Sequence, residues 1–258
     1  MKLLLLVIDG WGVSKTRDNN AIRLAKLKNF KKLASEYPAM VLHPGTYQDL
    51  GEFLSLLLAK NNFSQLRIAE SEKFVAVTDY FNNSNKVLDN EDRIVIPSPL
   101  GAERNYKMAT KKVVAETIKA IKANQHDFIL SAWPNLEIAK KSGDIKEVIK
   151  AVEFVDGQLA DLIKLAERKK FILAITAVNS GAEEVFDIKT GLTTTSKNNV
   201  PLILAGGNLA GKTFGLPDAP NNDLSLLEAA GSLADGAVTI LKVLGLDIPA
   251  SVPGDSLI

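Results

Sequence analysis

The sequence predicts an α/β fold, a doubly wound and mostly parallel sheet with helices on both faces. Three observations predict it. Unbroken apolar runs alternate with longer amphipathic stretches along the 258 residues, and strand followed by helix, repeated, builds a parallel sheet. The runs do not alternate polar with apolar, which is the pattern of strands covered on both faces. Polar segments rich in glycine and acidic residues follow several runs, where the carboxyl ends of parallel strands carry functional groups.

The first run, residues 3–8, follows Lys2 and has the look of a secretory signal. It stops at Asp9 and leads to no small-residue cleavage site, so it is predicted to be a buried first strand. The stretch 19–36 has apolar residues at helical spacing, as do 49–61, 107–124, 144–168 and 223–244. The other strands are predicted at 66–69, 93–96, 127–132, 171–176 and 201–205. Residues 61–62, 82–85 and 206–222 are polar and turn-forming, hence loops. Strand ends able to carry function are Asp9-Gly10-Trp11-Gly12, Glu70-Ser71-Glu72-Lys73, 131–135 and 177–181.

Composition narrows the function. Hydrophobic residues make up 46% of the chain, enough to bury a full core. A net charge of +1 gives no electrostatic reason to expect nucleic acid or an acidic membrane as partner. The absence of cysteine excludes disulfides, thiolate metal ligands and cysteine nucleophiles. No segment approaches a membrane span, and a cytoplasmic location is expected. The only histidines are His43 and His126, both read as surface or hydrogen-bonded side chains.

Eight segments in order carry a resemblance to one family. They are LLLLVIDGWG, NNAIRLAKLKNFKKLASEYP, LGEFLSLLLAKNNFSQLRIAESEKFVAVTDYFN, EDRIVIPSP, HDFILSAWPN, IKAVEFVDGQLADLI, NNVPLIL and LGLDIPASVPGDSLI. Together they resemble the phosphatase-like domain of the cofactor-independent phosphoglycerate mutases, which implies an alkaline-phosphatase-superfamily fold over residues 1–258 as one domain. The family inserts a second, substrate-holding domain after its first helix and strand. Here VLHPGTYQDLGEFL runs straight across that point, so the inserted domain is expected to be absent, with a junction near residues 43–50.

The resemblance also implies chemistry, and there the sequence departs. The family forms a phosphoserine and uses two divalent ions, typically manganese. Its Gly-Asn-Ser-Glu block has no counterpart, and the only nearby hydroxyls are Thr46 and Tyr47. Asp9 matches the first ligand aspartate and is the only matching ligand. The next aspartate and histidine fall on Glu137 and Lys141, the Asp-His pair on Val178 and Asn179, and the last histidine near Thr195. Lys73 matches the family lysine that supports serine and phosphate. The expectation is therefore a vestigial site (Asp9, Lys73, Glu137, Lys141, Val178, Asn179, Thr195) with no catalytic residue, no metal ligand set and no cofactor.

Asp9, Lys73, Glu137 and Lys141 are expected to converge as a self-neutralised cluster, because a partly buried aspartate without a metal needs a cationic partner. Plainer readings stand beside this. Glu137 and Lys141 have the spacing of an exposed helical pair, Lys73 could be a solvated residue at a helix start, and Asp9-Gly10 is common turn chemistry. A cation held by Asp9 with Glu70 or Glu72 is a further alternative. Residues 206–213 satisfy Walker spacing, but the segment 214–220 breaks the helix that should follow. Trp11 and Trp133 are read as packing residues near the site mouth.

Three functions are weighed. The first is a non-catalytic domain with a binding, scaffolding or regulatory role, its partner another protein or a small anion at Lys73 and Lys141. The second is an enzyme of altered, metal-free chemistry on a phosphorylated or sulfated small molecule. The third is retained phosphoglycerate mutase or phosphatase activity.

Overall fold

A computed structural model describes residues 1–193, 196–213 and 219–258. Its centre is β1 (Lys2–Ile8), whose residues from Leu3 on are at most 1% exposed. The strands that follow are β2 (Ala39–Leu42), β3 (Gln65–Glu70), β4 (Glu91–Ile96), β5 (Phe128–Trp133), β6 (Phe171–Thr176) and β7 (Val200–Ala205). They form one seven-stranded sheet in the order β2-β7-β6-β1-β5-β3-β4. β1 pairs in parallel with β5, Leu3 opposite Phe128 through Ile8 opposite Trp133, and in parallel with β6 on its other side. β3 and β4 continue the parallel set, whereas β7 runs antiparallel to both β6 and β2. The predicted mostly parallel sheet is thus observed.

The helices are α1 (Ala21–Leu24), α2 (Asn29–Glu36), α3 (Tyr47–Lys60), α4 (Ser71–Val75), α5 (Thr110–Ala123), α6 (Asn135–Lys140), α7 (Ile145–Lys169) and α8 (Leu233–Val243). The pleat shows that they cover two faces. Ser131 of β5 pairs with Ile68 and takes the hydroxyl of Thr117 from α5. Gln65, on the opposite side of β3, donates to the carbonyl of Ser55 in α3. α7 packs against α1, α2, α5, α6 and β6, while α3 packs against α8. Among the described residues no helix is long and apolar enough to cross a membrane.

The structure differs from the sequence reading in particulars. The strand β2 was not predicted, nor were the short helices α4 and α6. The stretch 19–36 is two helices rather than one. Of 223–244 only Leu233–Val243 is α-helical, preceded by a 3-10 turn at Leu224–Leu226. Residues 214–218, cited above as helix-breaking, lie outside the described residues.

The break between α1 and α2 has a specific cause. Lys28, at the N-cap of α2, supplies no capping side chain. Asp156 of α7, only 3% exposed, reaches across and accepts the backbone N–H groups of Lys28 at 3.0 Å, Asn29 at 3.1 Å and Phe30 at 2.8 Å. It satisfies from outside the donors a helix start leaves open. Asp156→Ala is expected to cost about 3 kcal/mol in urea unfolding, combining a lost cap with lost charge-assisted bonds. Asp156→Asn should cost less, and a loss below ~0.5 kcal/mol for the alanine would show that the bridge is not stabilising.

Candidate functional site

The carboxyl ends of β1, β3, β5 and β6 lie side by side because the four strands are parallel and adjacent in the sheet. Asp9 follows β1 directly, and its N–H donates to the Trp133 carbonyl at 3.0 Å, which continues the ladder with β5. Its side chain is fully buried. Gly10 then turns with φ of 90°, a value that favours glycine, and a Cβ there would lie 2.9 Å from the backbone nitrogen of Glu137. The loop therefore packs directly on the start of α6.

Lys73, on α4 after β3, places Nζ 2.8 Å from Asp9 Oδ2 and 2.6 Å from Glu137 Oε2. Tyr47, the first residue of α3, donates its hydroxyl to the same Asp9 Oδ2 at 2.8 Å. Lys73 Nζ also lies 5.9 Å from the centre of the Tyr47 ring. Asp9 Oδ1 is buried with no hydrogen-bond partner among the described residues.

These contacts shift the ionisation of all three inner groups. Burial pushes the Asp9 carboxyl above its ordinary range, with Lys73 pulling it down and Glu137 pushing it further up. Burial opposes the Lys73 charge, but the two carboxylates outweigh it and hold the ammonium's pKa above its usual value. Burial, then the negative charge of Asp9, raises the Tyr47 hydroxyl well above the ordinary tyrosine value. The group is thus a proton-retaining lysine between two acids, one of them capped by a neutral phenol.

Of the residues singled out from sequence, Asp9, Lys73 and Glu137 come together. Lys141 does not. It sits exposed at the C-cap of α6, where the chain leaves the helix, and pairs neither with Asp9 nor with Glu137. The four-residue neutral cluster is corrected to three charges plus Tyr47, because the Lys141 side chain stays exposed to solvent rather than entering the buried cluster. Val178 is 3% exposed, and its carbonyl accepts the Gly45 N–H at 2.8 Å. Asn179 Oδ1 accepts the Gly10 N–H at 2.7 Å and so supports the Asp9 loop. Thr195 lies outside the described residues.

The remaining readings resolve by position. Glu70 is buried and accepts from the Ala109 N–H at 2.9 Å and the Thr110 hydroxyl at 3.3 Å, at the start of α5, so it does not face Asp9. Glu72 is exposed. Among the described residues no group of three or more His, Asp or Glu side chains is placed to hold a metal ion. Trp133 is the last residue of β5 and Trp11 stacks on Phe30 with ring centres 4.3 Å apart, so both are packing residues. His43 is exposed, and His126 pairs with Asp92 at 2.8 Å at the other end of β5. The Walker-like loop follows antiparallel β7, so it lies beside the start of β6, at the opposite end of the sheet.

Sequence reasoning missed the rest of the surroundings. Glu183, 1% exposed, accepts the Gly181 N–H at 2.7 Å, the Asn198 amide at 3.1 Å and the Ser196 hydroxyl. Lys140 lies half-buried over Gly181, and burial lowers its pKa against the opposing charges of Glu183 and Glu184. These residues meet only through the β6 loop and carry no local signal.

Lys73→Met leaves a buried carboxylate unpaired and should cost on the order of 3–5 kcal/mol in urea unfolding. Lys141→Met should stay within about 0.5 kcal/mol of the parent. The double change Asp9→Asn with Lys73→Met should recover part of the first loss. Equal effects of the two lysine changes would show that Lys73 holds no special place.

Comparisons with known proteins agree on the family. The Metalloenzyme superfamily description matches residues 1–248. The phosphoglycerate mutase of Ehrlichia canis, of the cofactor-independent class, is 30% identical over 251 residues, covering 95% of this chain and 47% of that protein. A phosphoglycerate mutase structure from Leishmania mexicana, solved at low cobalt concentration, superposes with a TM-score of 0.62 at 20% identity, over 77% of this chain and 38% of that one. A protein of the alkaline phosphatase superfamily from Vibrio parahaemolyticus superposes with a TM-score of 0.62 at 12% identity, over 99% and 69% respectively. The chain spans less than half the length of these mutases.

Proposed function

This chain belongs to the Metalloenzyme superfamily, and we propose that within it the chain is a non-catalytic phosphoglycerate-mutase-like domain with a scaffolding or regulatory role toward a protein partner. The reading includes the absence of the substrate-holding domain at the junction near residues 43–50, and a cytoplasmic setting.

The observation that carries it is the Lys73 ammonium between Asp9 and Glu137. The family implies two divalent ions, and the residues present do not fit them. A cation bound by Asp9 would meet the fixed charge of Lys73 at 2.8 Å from the same oxygen. Val178 has no donor side chain, and the Asn179 oxygen is already committed to Gly10. Among the described residues, the hydroxyl bonded to Asp9 is that of Tyr47 rather than a serine. The inner charges, two carboxylates and one ammonium, sum to −1. That sign disfavours a small anion at Lys73, so the proposed partner is a protein.

A second reading, metal-free chemistry on a phosphorylated or sulfated small molecule, draws only on Lys140, whose lowered pKa is the kind of perturbation active lysines show. Retained mutase or phosphatase activity is the third.

One set of measurements separates these. Metal content after purification, with thermal-shift titrations of manganese, magnesium and zinc, should give a metal-free protein whose melting temperature ignores each ion. Assays for phosphoglycerate mutase and for aryl phosphate and aryl sulfate hydrolysis should be at background. Stoichiometric manganese, or stabilisation by several degrees, would reinstate the metal enzyme, and turnover abolished by Lys140→Met without metal would favour the second reading.

A further inference from the structure

A cleft of about 690 Å³ opens along α1 and α2, and its lining includes none of Asp9, Tyr47, Lys73 and Glu137. Its volume lies in the range of small-molecule sites. The Trp11–Phe30 stack contributes to its wall, as does Leu224 from the 3-10 turn on the far side. Arg23 spans the cleft, with Nη2 3.2 Å from Asp223 Oδ2 and Nη1 3.0 Å from the Ser225 hydroxyl. That bridge ties the two walls together and neutralises Asp223.

The charge of the rim is one-sided. Lys28 at the N-cap of α2 and Lys31 and Lys32 within it line the same cleft, and among the described residues Asp223 is the only acidic one lining it. Lys32 pairs with Glu36 at 3.7 Å. Lys28 and Lys31 make no ion pair among the described residues, and both are exposed. With Arg23 and Asp223 paired to one another and Lys32 paired outside, two ammonium groups stay uncompensated above an apolar wall. In a chain of net charge +1 this is a local concentration of positive charge beside buried aromatic surface.

We propose that this cleft binds a small organic anion, an apolar or aromatic body bearing a sulfonate, phosphate or carboxylate, with the body against Trp11, Phe30 and Leu224 and the anionic group at Lys28 and Lys31. Apolar contact supplies the affinity, and the two ammonium groups select the sign of the charge. The site owes nothing to the vestigial cluster, so it stands whether or not that cluster binds metal. It also gives a non-catalytic domain a means of responding to a metabolite.

The test uses the full chain and anilinonaphthalene sulfonate as probe, followed by its fluorescence and by two-dimensional NMR shifts. Saturable one-to-one binding is expected, with shifts centred on α2 and the Leu224 turn. Leu224→Trp, which fills the cleft, and the double reversal Lys28→Glu with Lys31→Glu should each weaken binding at least ~10-fold, equivalent to about 1.4 kcal/mol. Both lysines are on the surface, so the reversed protein should melt within a few degrees of the parent. A neutral phenylnaphthylamine should bind more weakly than the sulfonate and be indifferent to the reversal. Binding that ignores both variants, or shifts centred elsewhere, would overturn the site. A neutral probe bound as tightly as the anion would overturn the charge assignment.

Discussion

The site depends on one constraint, a carboxylate buried at the end of the central strand. β1 is paired on both sides, and the Asp9 N–H extends its ladder to Trp133, so the aspartate cannot swing out to water. A buried charge of this kind must be paired or neutralised. Lys73 answers it from α4, Tyr47 from α3, and Glu137 from α6 shares the same ammonium. Three helices on separate stretches of chain thus each place a side chain at one oxygen atom or its partner.

The sheet was legible in the sequence because four of its strands, β1, β5, β6 and β7, are largely apolar runs, while β3 (QLRIAE) and β4 (EDRIVI) each carry an apolar part. β2 escaped because it is only AMVL, lodged between Pro38 and the junction, too short for any period to show. The split of α1 from α2 was invisible for a different reason: the group that caps α2 is Asp156, more than a hundred positions away. In the site, Asp9, Lys73 and Glu137 could be placed by motif. Lys141 was misplaced because spacing alone cannot say whether a residue one turn from Glu137 points into the buried cluster or out to water, and here it is exposed. Tyr47 was noticed as a nearby hydroxyl, but its bond to Asp9 depends on the angle at which α3 starts, which no local pattern encodes.

The segment that links β2 to α3 is pinned along its length. His43 N–H donates to Gly231, Gly45 N–H to Val178, and Thr46 with Asp49 forms a capping box that begins α3 at once. Each bond serves the short connection rather than a hinge. On the proposed reading this is where relatives of about twice the length leave for another domain. The same bonds that close the connection bring Tyr47 over Asp9, so the short connection and the phenol in the site come together.

Charge then separates the two regions of the molecule. The Asp9 cluster carries two acids against one base, and at the neighbouring β6 loop Glu183 and Glu184 face the half-buried Lys140. An anion approaching there meets net negative charge, and two of the three Lys73 N–H donors are already committed to the acids. The cleft along α2 has the opposite balance, with its arginine spent on bracing the walls and two lysines unspent. On the proposed reading, this chain turns its strand ends inward to stabilise itself and leaves its capacity for anions on the helical flank.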